Sequence, residues 1–76
     1  MSTPRTVATI RKNNSEEIRV GLVEHGGFAM VDMRVFAAPR GGQDEPRPTK
    51  NGICIPHTQL PHLIEALQIA EREASR

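Results

Sequence analysis

Tryptophan and tyrosine are absent from this 76-residue chain, phenylalanine occurs twice, and there is one cysteine, Cys54. A lone cysteine excludes an intrachain disulfide, and no Cys/His cluster offers the four ligands of a structural zinc site; His57 and His62, five apart, do not share a helical face. The longest apolar runs are only a few residues, too short to cross a bilayer, and the first residues lack the apolar core of a signal peptide. The expectation is a cytoplasmic or nucleoid-associated protein with no membrane contact. No Gly-x-Gly-x-x-Gly or P-loop is present, and no nucleophile has an evident base beside it, so neither an enzyme nor a cofactor is expected. A chain this short builds a thin core, and with disulfide and zinc set aside, oligomerisation is the remaining common support.

What is present is a two-faced strand, Phe28 to Phe36. With the period of two that a strand imposes, Ala29, Val31, Met33 and Val35 share an apolar face, while Phe28, Met30, Asp32, Arg34 and Phe36 share the other. The second face holds both aromatics with an arginine and a carboxylate between them. It is too polar for a core and too aromatic for an idle surface. Glu16 to His25 alternates as clearly, with Ile18, Val20 and Leu22 on one side. Gly26-Gly27 then supplies the positive φ angles of a two-residue hairpin, so these strands pair antiparallel.

Around this hairpin, residues 1–6 read as an N-terminal arm, Val7 to Arg11 as a short strand, and Lys12 to Ser15 as a turn. Ala37 to Asn51 contains three prolines and two glycines and reads as a long loop, followed by a short strand, Gly52 to Ile55, ended by Pro56. From Thr58, a suitable N-cap, with Pro61 in the first turn, the chain reads as a helix. Leu60, Leu63, Ile64, Leu67 and Ala70 or Ala74 form its apolar stripe, widened by Ile69. The wide stripe predicts a second partner besides the helix's own sheet. The order of elements gives an α+β fold, an antiparallel sheet backed by one helix, in a single domain over residues 7–76.

The formal net charge is only +1, but the first 14 residues carry Arg5, Arg11 and Lys12 with no acid and the central loop sets Arg40, Arg47 and Lys50 against Asp44 and Glu45, while acids outnumber cations in residues 15–38 (Glu16, Glu17, Glu24 and Asp32 against Arg19 and Arg34) and from Thr58 on (Glu65, Glu71 and Glu73 against Arg72 and Arg76). Binding single-stranded nucleic acid needs planes for bases and cations for phosphates. Phe28, Phe36 and His25 supply planes, and Arg34, Arg19, Arg11, Lys12 and Lys50 supply charge. Asp32 on the same face weighs against DNA unless it pairs with Arg34 or another cation.

Val31-Asp32-Met33-Arg34-Val35-Phe36, then a Gly/Pro loop ending Arg47-Pro48-Thr49-Lys50-Asn51-Gly52-Ile53-Cys54-Ile55, then a C-terminal helix, resemble the positive cofactor 4 transcriptional coactivator family. Thr9-Ile10-Arg11-Lys12-Asn13, Leu60-Pro61 and Ala70-Glu71-Arg72-Glu73-Ala74 look most like its compact bacterial branch. The resemblance spans Val7 to Ala74. It implies a curved four-stranded antiparallel sheet with a C-terminal helix and a homodimer formed through helix and sheet edge. It also implies binding of single-stranded or melted DNA with little sequence preference, in transcription regulation or genome maintenance. Arg34 matches the family's backbone-contacting arginine, and Lys50 and Gly52 match a basic-glycine lead into the last strand. His25 stands where the family often has an aromatic. Phe28 and Gly26 stand in place of lysines, Asn51 in place of a second basic residue, and Leu60 in place of a tryptophan; these departures imply weaker and more salt-sensitive binding. Two other readings keep the same fold: a protein-interaction module for the transcription machinery, and an RNA-binding protein.

Overall fold

Gly26 and Gly27 take φ values of 60° and 85°, the positive pair that a two-residue hairpin demands, and His25 and Phe28 face each other across the turn they make. This computed structural model describes residues 5–39 and 45–76. From the hairpin the sheet grows outward: β1 (Arg5–Arg11), β2 (Glu16–His25), β3 (Phe28–Ala37) and β4 (Arg47–Pro56) lie in the order β1-β2-β3-β4, each antiparallel to its neighbour. A single 3-10 turn, His57–Gln59, leads into helix α1 (Leu60–Ala74). The α+β architecture, the four strands and the C-terminal helix are those expected.

Register assigns the faces. Ile18/Val35, Val20/Met33 and Leu22/Val31 are cross-strand partners on the apolar face, which Ala8 and Ile10 of β1 and Ile53 and Ile55 of β4 extend. Among the described residues only Val31, at 4% exposure, is fully buried. The thin core expected from the length is therefore thinner still, because the helix does not lie along its own sheet. Leu60 and Leu63 in its first turns are half-buried, and from Ile64 onward every residue is exposed. Ile64, Leu67 and Ile69 stand at 47%, 51% and 43% exposure. The described chain is a plate, 44 × 38 × 18 Å, rather than a sheet backed by its own helix.

Several boundaries differ from the expected ones, each for a local reason. The first strand begins at Arg5, so Arg5 and Thr6 belong to the sheet and not to an arm; the rest of that arm lies outside the described residues. The expected Ala37–Asn51 loop loses both ends, Ala37 to β3 and Arg47 to Asn51 to β4, and its residues 40–44 lie outside the described residues. Prolines fit here because β4 is an edge strand, with a row of N–H groups that have no ladder partner to lose. Thr58 is not the N-cap. The His57 ring Nδ1 meets the Ala29 carbonyl at 3.2 Å, which ties the 3-10 turn to β3, and the helix starts one residue later than expected. Gln59 then precedes the helix without a side-chain cap, and Pro61 sits in the first turn as expected.

Candidate nucleic-acid interface

The face opposite the apolar one is set by the same register. Two ladders run across it: Thr9, Arg19, Arg34 and Gly52 in one, and Arg11, Glu17, Phe36 and Pro48 in the next. Toward the hairpin tip come Asp32 opposite Cys54, Met30 opposite both Val23 and Pro56, and finally His25 opposite Phe28. One half of the face is charged and the other is apolar and aromatic.

Period two also places carboxylates two residues from each arginine, on the same side of the same strand. Arg19 donates through Nε to Glu17 Oε2, and its guanidinium carbon stands 4.2 Å from the centroid of the Phe36 ring, a cation–π contact. Arg34 donates from Nη2 to Asp32 Oδ1 at 2.7 Å and from Nε to Asp32 Oδ2 at 3.4 Å. The Asp32–Arg34 pairing left open by the sequence is thus made. Hydrogen bonding to Asp32 raises the Arg34 pKa above its ordinary value, against the opposing effect of partial burial. Glu17 was not a candidate from the sequence, although its position two residues before Arg19 was the available signal.

Arg34 also reaches β4. Its Nη1 donates to the carbonyls of Lys50 at 3.2 Å and Thr49 at 3.5 Å. Here the ladder is interrupted: Arg34 pairs with Gly52 and Phe36 with Pro48, so Thr49, Lys50 and Asn51 together oppose the single residue Val35. The bulge is braced from within, Thr49 Oγ1 donating to the Val35 carbonyl at 2.8 Å and accepting from the Asn51 N–H at 3.2 Å. Gly52 closes it at φ 152°, so near β3 that a Cβ there would sit 2.3 Å from the Met33 carbonyl oxygen. Thr49 was also missed from the sequence; nothing in its spacing marks the bulge.

The expected site residues therefore fall into three groups. Arg19, Arg34, Phe36, Lys50, Asn51 and Gly52 meet at the centre of the charged half. Arg11 and Lys12 lie at the β1–β2 turn, where Arg11 Nη2 donates to Asn14 Oδ1 at 2.7 Å and Lys12 pairs with Glu16 at 3.3 Å. This turn borders a cleft of about 360 Å³ that includes Thr9, Arg11, Glu17 and Pro46. His25 and Phe28 stand at the other end, where Phe28 is 71% exposed and a cleft of about 450 Å³ lies between the hairpin tip and Pro56 and His57. Six residue steps of strand lead from Phe28 to Arg34, roughly 20 Å, the reach of three or four nucleotides. Among the described residues no three His, Cys, Asp or Glu side chains converge as metal ligands, and no helix is long and apolar enough to cross a membrane.

The profile of the family described as Transcriptional Coactivator p15 (PC4) matches residues 12–66, more than half of the chain. This chain belongs to the PC4 family. Two crystal forms of a PC4 homologue from Burkholderia pseudomallei K96243 share its fold. The orthorhombic form aligns with TM-score 0.82 at 30% identity over 96% of both chains, and the tetragonal form with TM-score 0.80 at 29% identity over 91% of this chain and 98% of the other. No curated protein matches the sequence. Family and structural likeness agree with the resemblance read from Asp32, Arg34 and the Lys50–Ile55 segment, and they give the chain a nucleic-acid-binding, coactivator-type role in general terms. Within the PC4 match fall β2, β3, β4, the bulge and the first turns of α1, which together carry every central residue of the charged face.

Proposed function

We propose that this PC4-family protein binds single-stranded or melted DNA across the charged face of its sheet, with little sequence preference, as a homodimer that regulates transcription or protects exposed strands in the nucleoid of the cytoplasm. The observation that carries the reading is the Arg19–Arg34 ladder pair. Like charges directly opposite one another on a sheet are unfavourable, and here they are tolerated beside an aromatic plane, Phe36, with a carboxylate set against each. Such a face receives anions where a phosphate takes the place of Glu17 against Arg19 and where Lys50 stands exposed beside the Arg34 pair, while bases stack toward Phe36 and the apolar half near Phe28. Nothing in this arrangement selects a base edge, which favours a backbone-and-stacking mode over sequence readout.

The dimer rests on the helix. An apolar stripe exposed at Ile64, Leu67 and Ile69, beside a sheet with one fully buried side chain and an open β4 edge, is what a second copy covers.

The deciding experiment compares oligo-dT, the matching duplex and the matching RNA at two salt concentrations. Oligo-dT is expected to bind tightest, with log affinity falling against log salt by about 0.7 per phosphate contacted. No binding of oligo-dT at low salt would refute the reading, and equal or tighter RNA binding would move it to the RNA alternative.

A further inference from the structure

Building on the nucleic-acid reading, we propose that Arg34 acts as a positioning residue: it holds the β4 bulge so that Lys50 and Asn51, not Arg34 itself, meet the nucleic-acid backbone.

A guanidinium has five N–H donors in a fixed fork. In Arg34 that fork is largely spent on the protein, with Nε and Nη2 on the two Asp32 oxygens and Nη1 on the carbonyls of Lys50 and Thr49. Little of it is left for a phosphate. The carbonyls have a need of their own. Three residues set against one leave the bulge without regular ladder bonds, and Arg34 and the Thr49 hydroxyl supply the bonds that replace them. Asp32 completes the device by aligning the fork along the strand. Lys50 and Asn51, by contrast, are exposed at the crest of the bulge, and neither side chain has a hydrogen-bond partner or ion pair among the described residues. A planar fork between one carboxylate and two carbonyls requires arginine; lysine, a point charge on a flexible stem, keeps the charge but not the geometry.

The test uses the full chain with fluorescent oligo-dT at low salt, with thermal melts to confirm that each variant folds. Lys50→Ala is expected to weaken binding about tenfold, the scale of one charge-assisted contact, and Arg34→Ala by a similar factor. If Arg34 works through the bulge, the double variant is weaker than Lys50→Ala by no more than about twofold, because the two losses are one loss. Arg34→Lys does not restore affinity, and Thr49→Val, which removes no charge, reproduces much of the loss. Amide hydrogen exchange in the free protein gives a reading independent of ligand: Lys50 and Asn51 exchange faster in Arg34→Ala and Arg34→Lys, while the hairpin around Gly26 is unchanged. Multiplicative losses in the double variant, wild-type binding by Arg34→Lys, or unchanged exchange at Lys50 and Asn51 would each overturn the positioning role while leaving nucleic-acid binding intact. Failure of the wild type to bind oligo-dT overturns the binding reading instead, and the exchange data then still decide whether Arg34 holds the bulge.

Discussion

Substituting Gly52 by alanine tests the closure of the β4 bulge through a single methyl group. Its Cβ would meet the Met33 carbonyl oxygen at 2.3 Å and the Arg34 Cα at 2.9 Å, both backbone atoms that no side-chain rotation can move aside. The residue's φ of 152° adds a second penalty, since L-residues rarely adopt it. Backbone strain of this kind costs about 1–3 kcal/mol and forced overpacking a further 1–3 kcal/mol, so the variant should lose about 2–6 kcal/mol. A domain of this size has roughly 4–11 kcal/mol in total, so the loss is a large share of it. At the low end it lowers Tm by roughly 10 °C, and at the high end the β3–β4 pairing opens altogether. The assay is thermal and urea denaturation followed by circular dichroism, at one fixed protein concentration because a dimer's stability depends on it. Gly21→Ala is the control: its Cβ would stand 3.0 Å from the Arg5 carbonyl oxygen, on an outer strand with room to shift, and its φ is not in the positive range. A Gly52→Ala variant within roughly 3 °C of wild type, or no worse than Gly21→Ala, would refute the argument.

The remaining predictions use other parts of the plate. Leu67→Glu places a carboxylate in the exposed apolar stripe of α1 and should convert a micromolar dimer to monomer in sedimentation; a wild type that sediments as a folded 8.4 kDa monomer would remove the basis for this. Phe36→Leu removes the plane under Arg19 and should weaken oligo-dT binding about fivefold or more, the low end of a base–aromatic stack, while leaving the fold intact; equal affinity would exclude stacking at Phe36. Glu16 is held below the ordinary glutamate value of 4.5, first by the Asn13 side-chain amide and then by Lys12. Because its folded pKa is depressed, its contribution is present at neutral pH and is lost as pH falls through the folded value. The stability difference between wild type and Glu16→Gln should therefore shrink below about pH 4.5, and a difference that stays constant on acidification would argue against it.

The sequence made the centre of the sheet legible and its margin less so. Strict alternation from Glu16 to His25 and from Phe28 to Phe36, with Gly26-Gly27 between, places β2 and β3 within a residue of their observed ends. Their faces follow at once, and with them Arg19, Arg34 and Phe36 as neighbours. The first half of β4 was hidden because Pro46 and Pro48 mark loops in most settings, and only knowing that this strand lies at an edge makes them acceptable. The helix boundary moved because His57 is anchored to Ala29, a contact 28 residues away in the chain that local capping rules do not contain. In the site, local pairs were readable and distant ones were not: Asp32 with Arg34 follows from period two, whereas the hold of Arg34 on Thr49 and Lys50 depends on a bulge that no spacing announces.

The Gly26-Gly27 turn also bears on how the chain reaches this shape in time. It joins the two longest fully paired strands through two residues, so loop closure there costs little entropy, and the sheet is a meander in which every strand pairs with its sequence neighbour. The expected folding order therefore starts at the β2–β3 hairpin and spreads outward to β1 and β4, with the bulge and the helix set last. Gly27→Ala, strained at φ 85°, should accordingly slow refolding and leave the unfolding rate nearly unchanged, while Gly52→Ala does the reverse; stopped-flow chevrons showing the opposite division would place the nucleus elsewhere.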